Sequence, residues 1–293
     1  MIRVRRGSAG VKIERAGIVR TFVAWLVGLV TFFPFLYLVL SGFKSEIQAS
    51  QMPPLIIPAP GGLQGLPLAF SPTLDYYANV LGSGFLPYLV NSLIAVLGSS
   101  VLVFMLALPA AYALGLGRMT HHRDVLFFFV STRFLPVVGV IIPIFIIAKD
   151  AHLLDNVLAL VIMYTAMNLP LAVWMLRSYF ADIPRDILDA ARVDGANVVQ
   201  ELGYVALPMI RPGVVATFFI GIIFAWNEFF LAVILTAVKS TTVPIYMLGF
   251  ESLIGLFWAQ LAAAGTMAAL PIVLLGWVAQ GQLVRGMSMG AIK

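Results

Sequence analysis

The chain has 293 residues, of which 61% are hydrophobic and 11% are charged. Because an ordinary soluble domain is nearer a quarter charged, this composition excludes that class and predicts an integral membrane protein. The net charge of +5 comes mostly from basic residues at the ends of apolar runs, which favours membrane orientation over nucleic-acid binding. The absence of cysteine excludes structural disulfides, thiolate metal sites and a cysteine nucleophile.

The first twenty residues form a basic tail that we expect to lie in the cytoplasm. Its basic side chains are Arg3, Arg5, Arg6, Lys12, Arg15 and Arg20. The apolar run at residues 21–40 is long enough, at about 1.5 Å per residue, to cross a hydrocarbon core of about 30 Å. It is too long for a signal-peptide core and no small-residue cleavage site follows it directly, so we interpret it as a retained membrane helix.

Five further membrane helices are predicted after an extracytoplasmic loop at residues 41–84, which is too rich in proline and glycine to be one helix. They cover residues 86–115, 125–148, 157–177, 214–238 and 260–284. This makes six spans in one membrane domain, residues 21–293. With both termini in the cytoplasm, fourteen of the eighteen Lys and Arg lie on that side and three on the other, and Arg133 lies within a helix. The charge distribution therefore predicts cytoplasmic termini.

A polar stretch at residues 183–213 interrupts the apolar sequence and predicts a helical hairpin. Pro184 suits the start of a first helix, because its missing N–H would be unpaired there. One face of this helix carries Ile187, Leu188 and Ala191, and the other carries Arg185, Asp189 and Arg192 at spacings that allow ion pairs. We therefore expect the first helix to bury one face and to expose the other.

A second short helix is predicted after Gly195, which supplies a left-handed stop, with Asn197 as its cap. Its apolar positions follow an α-helical spacing: Val198, Val199, Leu202, Val205 and Ala206. Pro208 and Pro212 end the hairpin. Two short amphipathic helices joined by a glycine turn are typical of a docking element. The alternative, a plain connection between membrane helices, does not require a glycine and a proline at this fixed spacing.

The hairpin resembles the EAA loop of bacterial ABC importer permeases. The match rests on Asp189, Ala190, Ala191, three residues, Gly195, nine residues, Val205, one residue, Leu207 and Pro208. Asp189 stands where Glu is commoner and Val205 where Ile is commoner, and both changes are conservative. The phrases IIPIF at 141–145, AWNEFFLAVILT at 225–236 and the tail from 280 are similar to the shorter permease of maltose-type carbohydrate importers.

This resemblance implies an all-α membrane protein with the type I permease fold of ABC importers. It implies an ATP-driven importer of a sugar or oligosaccharide in the bacterial inner membrane. The implied partners are a second homologous permease, a cytoplasmic ATPase dimer that holds ATP and Mg, an extracytoplasmic substrate-binding protein and membrane lipid. Coupling to the ATPase would use the loop at residues 178–213, through Asp189, Ala190, Ala191, Asp194, Gly195, Leu207 and Pro208.

Two charged residues lie inside predicted membrane helices and are candidates for the substrate pathway. Glu228, with Asn227 and Trp226, could bind sugar hydroxyls by hydrogen bonds and stacking, or it could brace neighbouring helices near the outer interface. Arg133 could line the pathway, pair with Glu228, bind carbonyls freed by Pro136, or pair within the subunit complex. Asp155 and Asn156 are predicted to cap the fourth membrane helix.

Other functions find less support in the sequence. There is no glycine-rich phosphate loop and no clustered set of metal ligands, so we expect a transport subunit that binds no cofactor itself and is not an enzyme. An ion-coupled carrier would need repeated halves and several buried carboxylates, whereas only Glu228 is present. A membrane enzyme would need a nucleophile with its base. A polyol or glycerol phosphate remains an alternative substrate on the same scaffold.

Overall fold

A computed structural model describes residues 3–6, 11–14, 17–60, 68–117, 122–133, 137–252 and 255–289. The chain divides into two compact units, one of Met1–Gly82 with Ser252–Thr266 and one of Ser83–Glu251 with Met267–Lys293. Each unit is described by itself, and the single membrane domain proposed for residues 21–293 stays a prediction.

The first unit begins with an antiparallel strand pair, β1 (Arg3–Arg6) and β2 (Val11–Glu14), within the predicted basic tail. Helix α1 (Ile18–Ser41) follows, and then α2 (Glu46–Ser50). Strands β3 (Ile57–Pro58) and β4 (Ala69–Phe70) pair in parallel before α3 (Asp75–Gly82). The chain returns to this unit at Ser252. The elements there are β5 (Glu251–Ser252), β6 (Gly255–Leu256) and the start of helix α14 (Trp258–Met289).

Two charged side chains organise the first unit. The Glu46 carboxylate accepts hydrogen bonds from the backbone N–H groups of Ala259 (2.9 Å) and Gln260 (3.0 Å), which are unpaired donors in the first turn of α14. Lys44 is fully buried, with its ammonium 4.2 Å from the centre of the Tyr37 ring and 5.4 Å from that of Phe70. Burial lowers the pKa of Lys44. Lys44, expected to be a loop charge, therefore belongs to the packed interior.

The second unit is built on a pair of long helices, α4 (Phe85–Leu116) and α7 (Val157–Ala181). Between them lie α5 (His122–Arg133) and α6 (Val137–Asp150). Glycines allow α4 and α7 to approach closely, since a Cβ on Gly98 would lie 3.2 Å from Val161 and one on Gly115 would lie 2.8 Å from Phe180. Small residues therefore set the spacing of this central pair.

The rest of the second unit contains shorter helices. The hairpin region has α8 (Arg185–Val193), α9 (Val198–Gln200), a π-helical segment (Glu201–Ala206) and α10 (Leu207–Met209). Helices α11 (Arg211–Trp226), α12 (Phe230–Leu235) and α13 (Val243–Leu248) follow. One apolar cluster joins α4 and α7 to the hairpin, and a second joins them to α11 and α12.

Four of the six predicted membrane spans are single helices of sufficient length and hydropathy in the part of the chain that the structure describes. They are Ile18–Ser41, Phe85–Leu116, Val157–Ala181 and Trp258–Gln282. Within the third predicted span the structure describes α5 and α6, and residues 134–136 between them lie outside the described residues. The fifth predicted span is not continuous, because it divides into α11 and α12. The prediction of one fifth membrane helix at residues 214–238 is therefore wrong.

Asp155 binds a run of backbone amides that lies far away in sequence. Asn156 caps α7 as predicted, with its side chain accepting from Leu158 N–H at 2.9 Å. Asp155 does not share this role. Its carboxylate instead accepts four consecutive backbone N–H groups at 3.0 to 3.2 Å, those of Ala237, Val238, Lys239 and Ser240. This arrangement ties the loop after α6 to the loop after α12.

We predict that Asp155→Asn destabilises the chain by roughly 1–2 kcal/mol, because a neutral amide oxygen replaces a charged acceptor of several hydrogen bonds. These bonds hold the pKa of Asp155 well below its usual range, although its partial burial alone would raise it. Because the pKa of Asp155 is lower in the folded chain than in the unfolded chain, where it is about 3.9, the ionised carboxylate stabilises the fold at pH values above that value. This stabilisation is lost progressively as the pH falls below about 3.9. Thermal unfolding measured between pH 6 and pH 3 should show that acid lowers the stability of the wild type more than that of Asp155→Asn. An equal loss of stability in both proteins would contradict the role of the Asp155 carboxylate as the acceptor of these N–H groups.

Candidate functional site: docking hairpin and helix break

The first helix of the hairpin, α8, follows Pro184 and buries Leu188 against side chains of α4 and α7. Ala191 is half-buried, whereas Ile187 is exposed although the sequence placed it on the buried face. Gly195 follows α8 with a φ of +86°, in the left-handed region that favours glycine. The predicted helix and its glycine stop are confirmed, and the buried face is narrower than expected.

The second half of the hairpin opens with a reciprocal cap. The Asn197 side chain accepts from Gln200 N–H at 3.0 Å, and the Gln200 side chain accepts from Asn197 N–H at 2.9 Å. The predicted buried face is wrong in part, since Val198 and Val199 are exposed, whereas Ala206 is buried as predicted. The two exposed valines lie in α9, and the buried and half-buried residues begin with the π-helical segment that follows it.

An ionic network centred on one buried carboxylate joins the two halves of the hairpin, although its Arg192 and Asp189 side chains are exposed. Glu201 in the π-helical segment is 1% exposed. Its carboxylate accepts from Arg192 Nε at 2.7 Å, from Arg192 Nη2 at 3.1 Å and from the Tyr112 hydroxyl at 2.5 Å. Arg192 Nη1 also pairs with Asp189 at 3.3 Å. Asp189 therefore pairs with Arg192, three residues later, and not with Arg185 as the spacing also allowed.

The exposed surface of the hairpin contains many large apolar side chains among its charged ones. Large exposed hydrophobic side chains lie along it: Ile187, Val193, Val198, Val199, Tyr204 and Met209. Asp189, Ala190 and Asp194 are exposed on the same hairpin. A concentration of exposed apolar side chains is typical of a protein–protein contact. The structure thus brings the residues predicted for docking to one exposed element.

The hairpin ends at a sharp bend. Leu207 is half-buried and Pro208 is exposed in α10, and Ile210 is buried in the cluster shared with α4 and α7. The helical stretch Val198–Met209 meets Arg211–Trp226 at 83°. The hairpin therefore does not continue the axis of α11.

Glu228 lies at the break between α11 and α12, not inside a continuous helix as predicted. Its carboxylate accepts from Leu231 N–H at 3.0 and 3.1 Å and from Ala232 N–H at 3.4 Å, which are free donors in the first turn of α12. The Tyr164 hydroxyl donates to the Glu228 carbonyl at 3.4 Å. Glu228 therefore stabilises the restart of the helix at α12, and its contribution to sugar binding or to bracing neighbouring helices stays a prediction.

The other two candidates at this position differ in exposure. Asn227 is exposed, and its amide donates to the Ile223 carbonyl at 2.8 Å. Trp226 is buried, with its ring in the cluster shared by α4, α7 and α11. Of the three neighbouring residues, Asn227 offers the most accessible polar side chain.

We predict that Glu228→Gln changes stability by less than about 1 kcal/mol, because the amide oxygen can still accept the N–H groups of α12. Glu228→Ala removes the acceptor and should cost about 1–2 kcal/mol. Thermal unfolding of both variants in the same detergent tests this difference. If both variants lose the same free energy of unfolding, or if Glu228→Gln alters substrate preference at unchanged stability, the carboxylate has a role other than capping α12.

Arg133 lies apart from Glu228 and forms no ion pair with it. Its Nη1 donates to the Met167 carbonyl at 2.7 Å, and its guanidinium lies 4.8 Å from the centre of the Phe224 ring. Met167 is on α7, in the turn before Pro170, so the carbonyl that Arg133 binds is not one freed by Pro136. The predicted role in binding a helix carbonyl is thus found on a different helix.

A groove of about 260 Å³ lies beside Arg133. It is lined by Val130, Arg133, Pro170, Leu171 and Trp174. Trp174 is about half exposed and lines the same groove as Arg133, so the groove offers an aromatic ring for stacking on a sugar and a planar donor for its hydroxyls. Trp174 was not predicted from the sequence, although it lies about one helical turn after Pro170 in α7.

Comparison with known proteins places this architecture in a family. Residues 107–289 match the family described as "Binding-protein-dependent transport system inner membrane component". The chain belongs to this family. It is therefore a multi-pass inner-membrane permease, a transport subunit that works with a substrate-binding protein and an ATPase and is not itself the enzyme.

Individual relatives agree with this assignment. The permease is 33% identical to the probable ABC transporter permease protein y4oR of Sinorhizobium fredii, over 92% of this chain and 93% of that protein. It is 31% identical to the diacetylchitobiose uptake system permease protein DasC of Streptomyces coelicolor, over 71% of this chain and 76% of that protein. A bacterial ABC transporter involved in the import of the acidic polysaccharide alginate has a chain of the same fold. The TM-score is 0.70 at 23% identity, over 91% of this chain and 96% of that one.

The family and the type I permease fold predicted from the sequence are thereby confirmed. The burial of Glu201 in the permease was not predicted from the sequence. The signal was present, because an acidic residue among the apolar positions of a short amphipathic helix requires a partner if it is buried. Its partner Tyr112 is 89 positions away in the sequence, so the pairing could not be inferred from local spacing.

Proposed function

We propose that the permease is a membrane subunit of an ATP-driven ABC importer for a sugar or oligosaccharide, and that the hairpin around α8 is its contact with the ATPase. The observation that carries this proposal is the exposed apolar surface of the hairpin, next to Asp189, Ala190 and Gly195 of the family-like motif. Ala191, Asp194, Leu207 and Pro208 complete the coupling residues.

The sugar class is supported by the relative named for diacetylchitobiose uptake and by the groove beside Arg133. In this proposal Arg133, Trp174 and Asn227 contribute to the substrate pathway. Trp226 packs behind Asn227 and Glu228 fixes the helix break. Aromatic rings and planar donors are the groups that bind the faces and hydroxyls of sugars.

The proposed assembly contains a second homologous permease, an ATPase dimer, an extracytoplasmic binding protein and surrounding lipid, and no nucleic acid. Both termini and the hairpin lie in the cytoplasm, in line with the distribution of Lys and Arg. ATP and Mg are held by the ATPase. ATP binding closes the ATPase dimer and moves α8, and the pathway between the permeases opens outward. Hydrolysis and product release reset the assembly.

The experiment is purification of the tagged permease in mild detergent from its native host, identification of bound proteins by mass spectrometry, and reconstitution of the complex in proteoliposomes. Uptake is then measured for a panel of mono- and oligosaccharides, polyols and glycerol phosphate. An ATPase and a second permease should co-purify, and internal ATP should drive uptake of a sugar. Uptake that needs an ion gradient with ATP held constant would overturn the proposal in favour of a secondary carrier. Uptake restricted to a polyol or glycerol phosphate would overturn its substrate class.

A further inference from the structure

The Glu201 carboxylate is buried where an isolated charge is costly, yet each of its oxygens has a donor. The two nitrogens of Arg192 bind it as a fork, and the Tyr112 hydroxyl adds a third hydrogen bond. A fork and a third donor fix the carboxylate in both position and orientation. Three hydrogen bonds therefore fix the Glu201 carboxylate, and the Arg192 side chain that makes two of them remains about half exposed.

The three groups come from three separate elements. Tyr112 lies in the last turns of α4, Arg192 lies in the last turn of α8, and Glu201 begins the π-helical segment. Arg192 also binds Asp189, which is exposed on α8. The series Asp189, Arg192, Glu201 and Tyr112 thus runs without interruption from the surface of the hairpin to a long membrane helix.

The local backbone explains why the carboxylate can reach both partners. Gly195 reverses the chain after α8, so that the second half of the hairpin runs back past Arg192. The π-helical turn then places Glu201 and Ala206 on the same buried side, towards the cluster that contains Tyr112.

We propose that Glu201 is a positioning residue that fastens the hairpin to the end of α4, so that a displacement of α8 moves α4 with it. The proposal rests on the proposed function, because it concerns how the docking movement reaches the membrane helices. Glu201 does not touch the ATPase or the substrate. It acts through Arg192 on one side and through Tyr112 on the other.

A contact that transmits movement from α8 to α4 differs from a contact that only stabilises the fold in its effect on the coupling of ATP hydrolysis to transport. Loss of stability lowers the number of working complexes, which reduces transport and ATP hydrolysis in the same proportion. Loss of the Glu201 hydrogen bonds to Arg192 and Tyr112 leaves ATP hydrolysis unchanged but allows α8 to move without α4. The ratio of substrate transported to ATP hydrolysed separates the two effects.

The test uses the complete complex in proteoliposomes, with permease variants Glu201→Gln and Tyr112→Phe. The first removes the charge that holds Arg192 and keeps an acceptor for Tyr112, and the second removes only the tyrosine link. Asp150→Asn serves as the matched control, because Asp150 is an exposed acid at the end of α6. Retained ATPase, ATP hydrolysis and uptake of the transported sugar are measured for each.

We expect both variants to retain the ATPase and to transport at least about fivefold less substrate per ATP hydrolysed, with Asp150→Asn unchanged. The double variant should lose no more than the more affected single variant, because both changes open the same connection. Should Glu201→Gln fail to assemble, Tyr112→Phe decides alone. An unchanged ratio in variants that retain the ATPase would overturn the proposal, and so would release of the ATPase by both variants.

The wild-type complex separates this proposal from the proposed function. If the wild-type permease binds no ATPase, the proposed function fails before any variant is compared, and the positioning role fails with it. If the wild-type complex couples ATP to uptake and the variants keep the wild-type ratio, the proposed function stands and only the role of Glu201 is overturned.

Discussion

A Val193→Glu substitution is expected to release the ATPase from the permease while leaving the permease folded. Val193 is 87% exposed at the end of α8, so the glutamate meets water in the isolated chain. In the proposed complex the same side chain would be enclosed in the interface, where an unpaired charge costs on the order of 3 kcal/mol. That cost corresponds to about a hundredfold weaker binding. The measurement is the amount of ATPase retained on the tagged permease over a dilution series.

Val238→Glu provides the control for this experiment. Val238 is 81% exposed in the loop after α12, so the same substitution is made at a similarly exposed valine outside the hairpin. It should retain the ATPase at the wild-type level. Equal retention in both variants would show that the exposed apolar surface of the hairpin is not the ATPase contact.

Gly115→Ala is expected to destabilise the permease by about 2–3 kcal/mol, the upper part of the range for overpacking a close contact. An added Cβ would lie 2.8 Å from the Cβ of Phe180 and 3.0 Å from the Arg177 carbonyl oxygen, both of which belong to α7. These atoms are on or next to the backbone, so a side-chain rotation cannot relieve the contact. The two central helices would have to separate. Thermal unfolding in detergent, followed by tryptophan fluorescence, measures the effect.

Gly221→Ala is the matched control, since Gly221 lies within α11 and an added Cβ would meet nothing within 4 Å. Alanine is favoured over glycine in a helix by about 1 kcal/mol, so this variant should be as stable as the wild type or slightly more so. A loss of stability in Gly221→Ala equal to that in Gly115→Ala would mean that the close approach of α4 and α7 is not the cause.

Much of the docking hairpin was predictable because its signals are local. The positive φ of Gly195 and the reciprocal cap of Asn197 with Gln200 depend on residues within a few positions of each other. The buried face of the second helix was not predictable by the same means. Val198 and Val199 fit the apolar spacing of the second helix, yet both are exposed, because burial depends on which other elements pack against each turn.

The break in the fifth predicted span was hidden by its composition. Helices α11 and α12 are both apolar, so the sequence from 214 to 238 reads as one membrane segment with a charge inside it. The cause of the break is visible only in the hydrogen bonds of Glu228. Because its carboxylate takes backbone donors of the next helix, the first helix can stop at Trp226 and a second can start at Phe230. Likewise, the partners of Arg133 and Asp155 depend on tertiary contacts that no local pattern specifies.

The contact between Asp155 and the backbone of Ala237 to Ser240 also imposes an order on biosynthesis. The first of these amides is 82 positions beyond the carboxylate, which at roughly 5–20 residues per second is an interval of about 4–16 s on the ribosome. During that interval Asp155 has no amides to bind and remains hydrated, at no cost to a charged side chain in water. The hydrogen bonds between Asp155 and the loop after α12 can therefore form only after α11 and α12 have been synthesised. This contact forms late in the folding of the nascent chain.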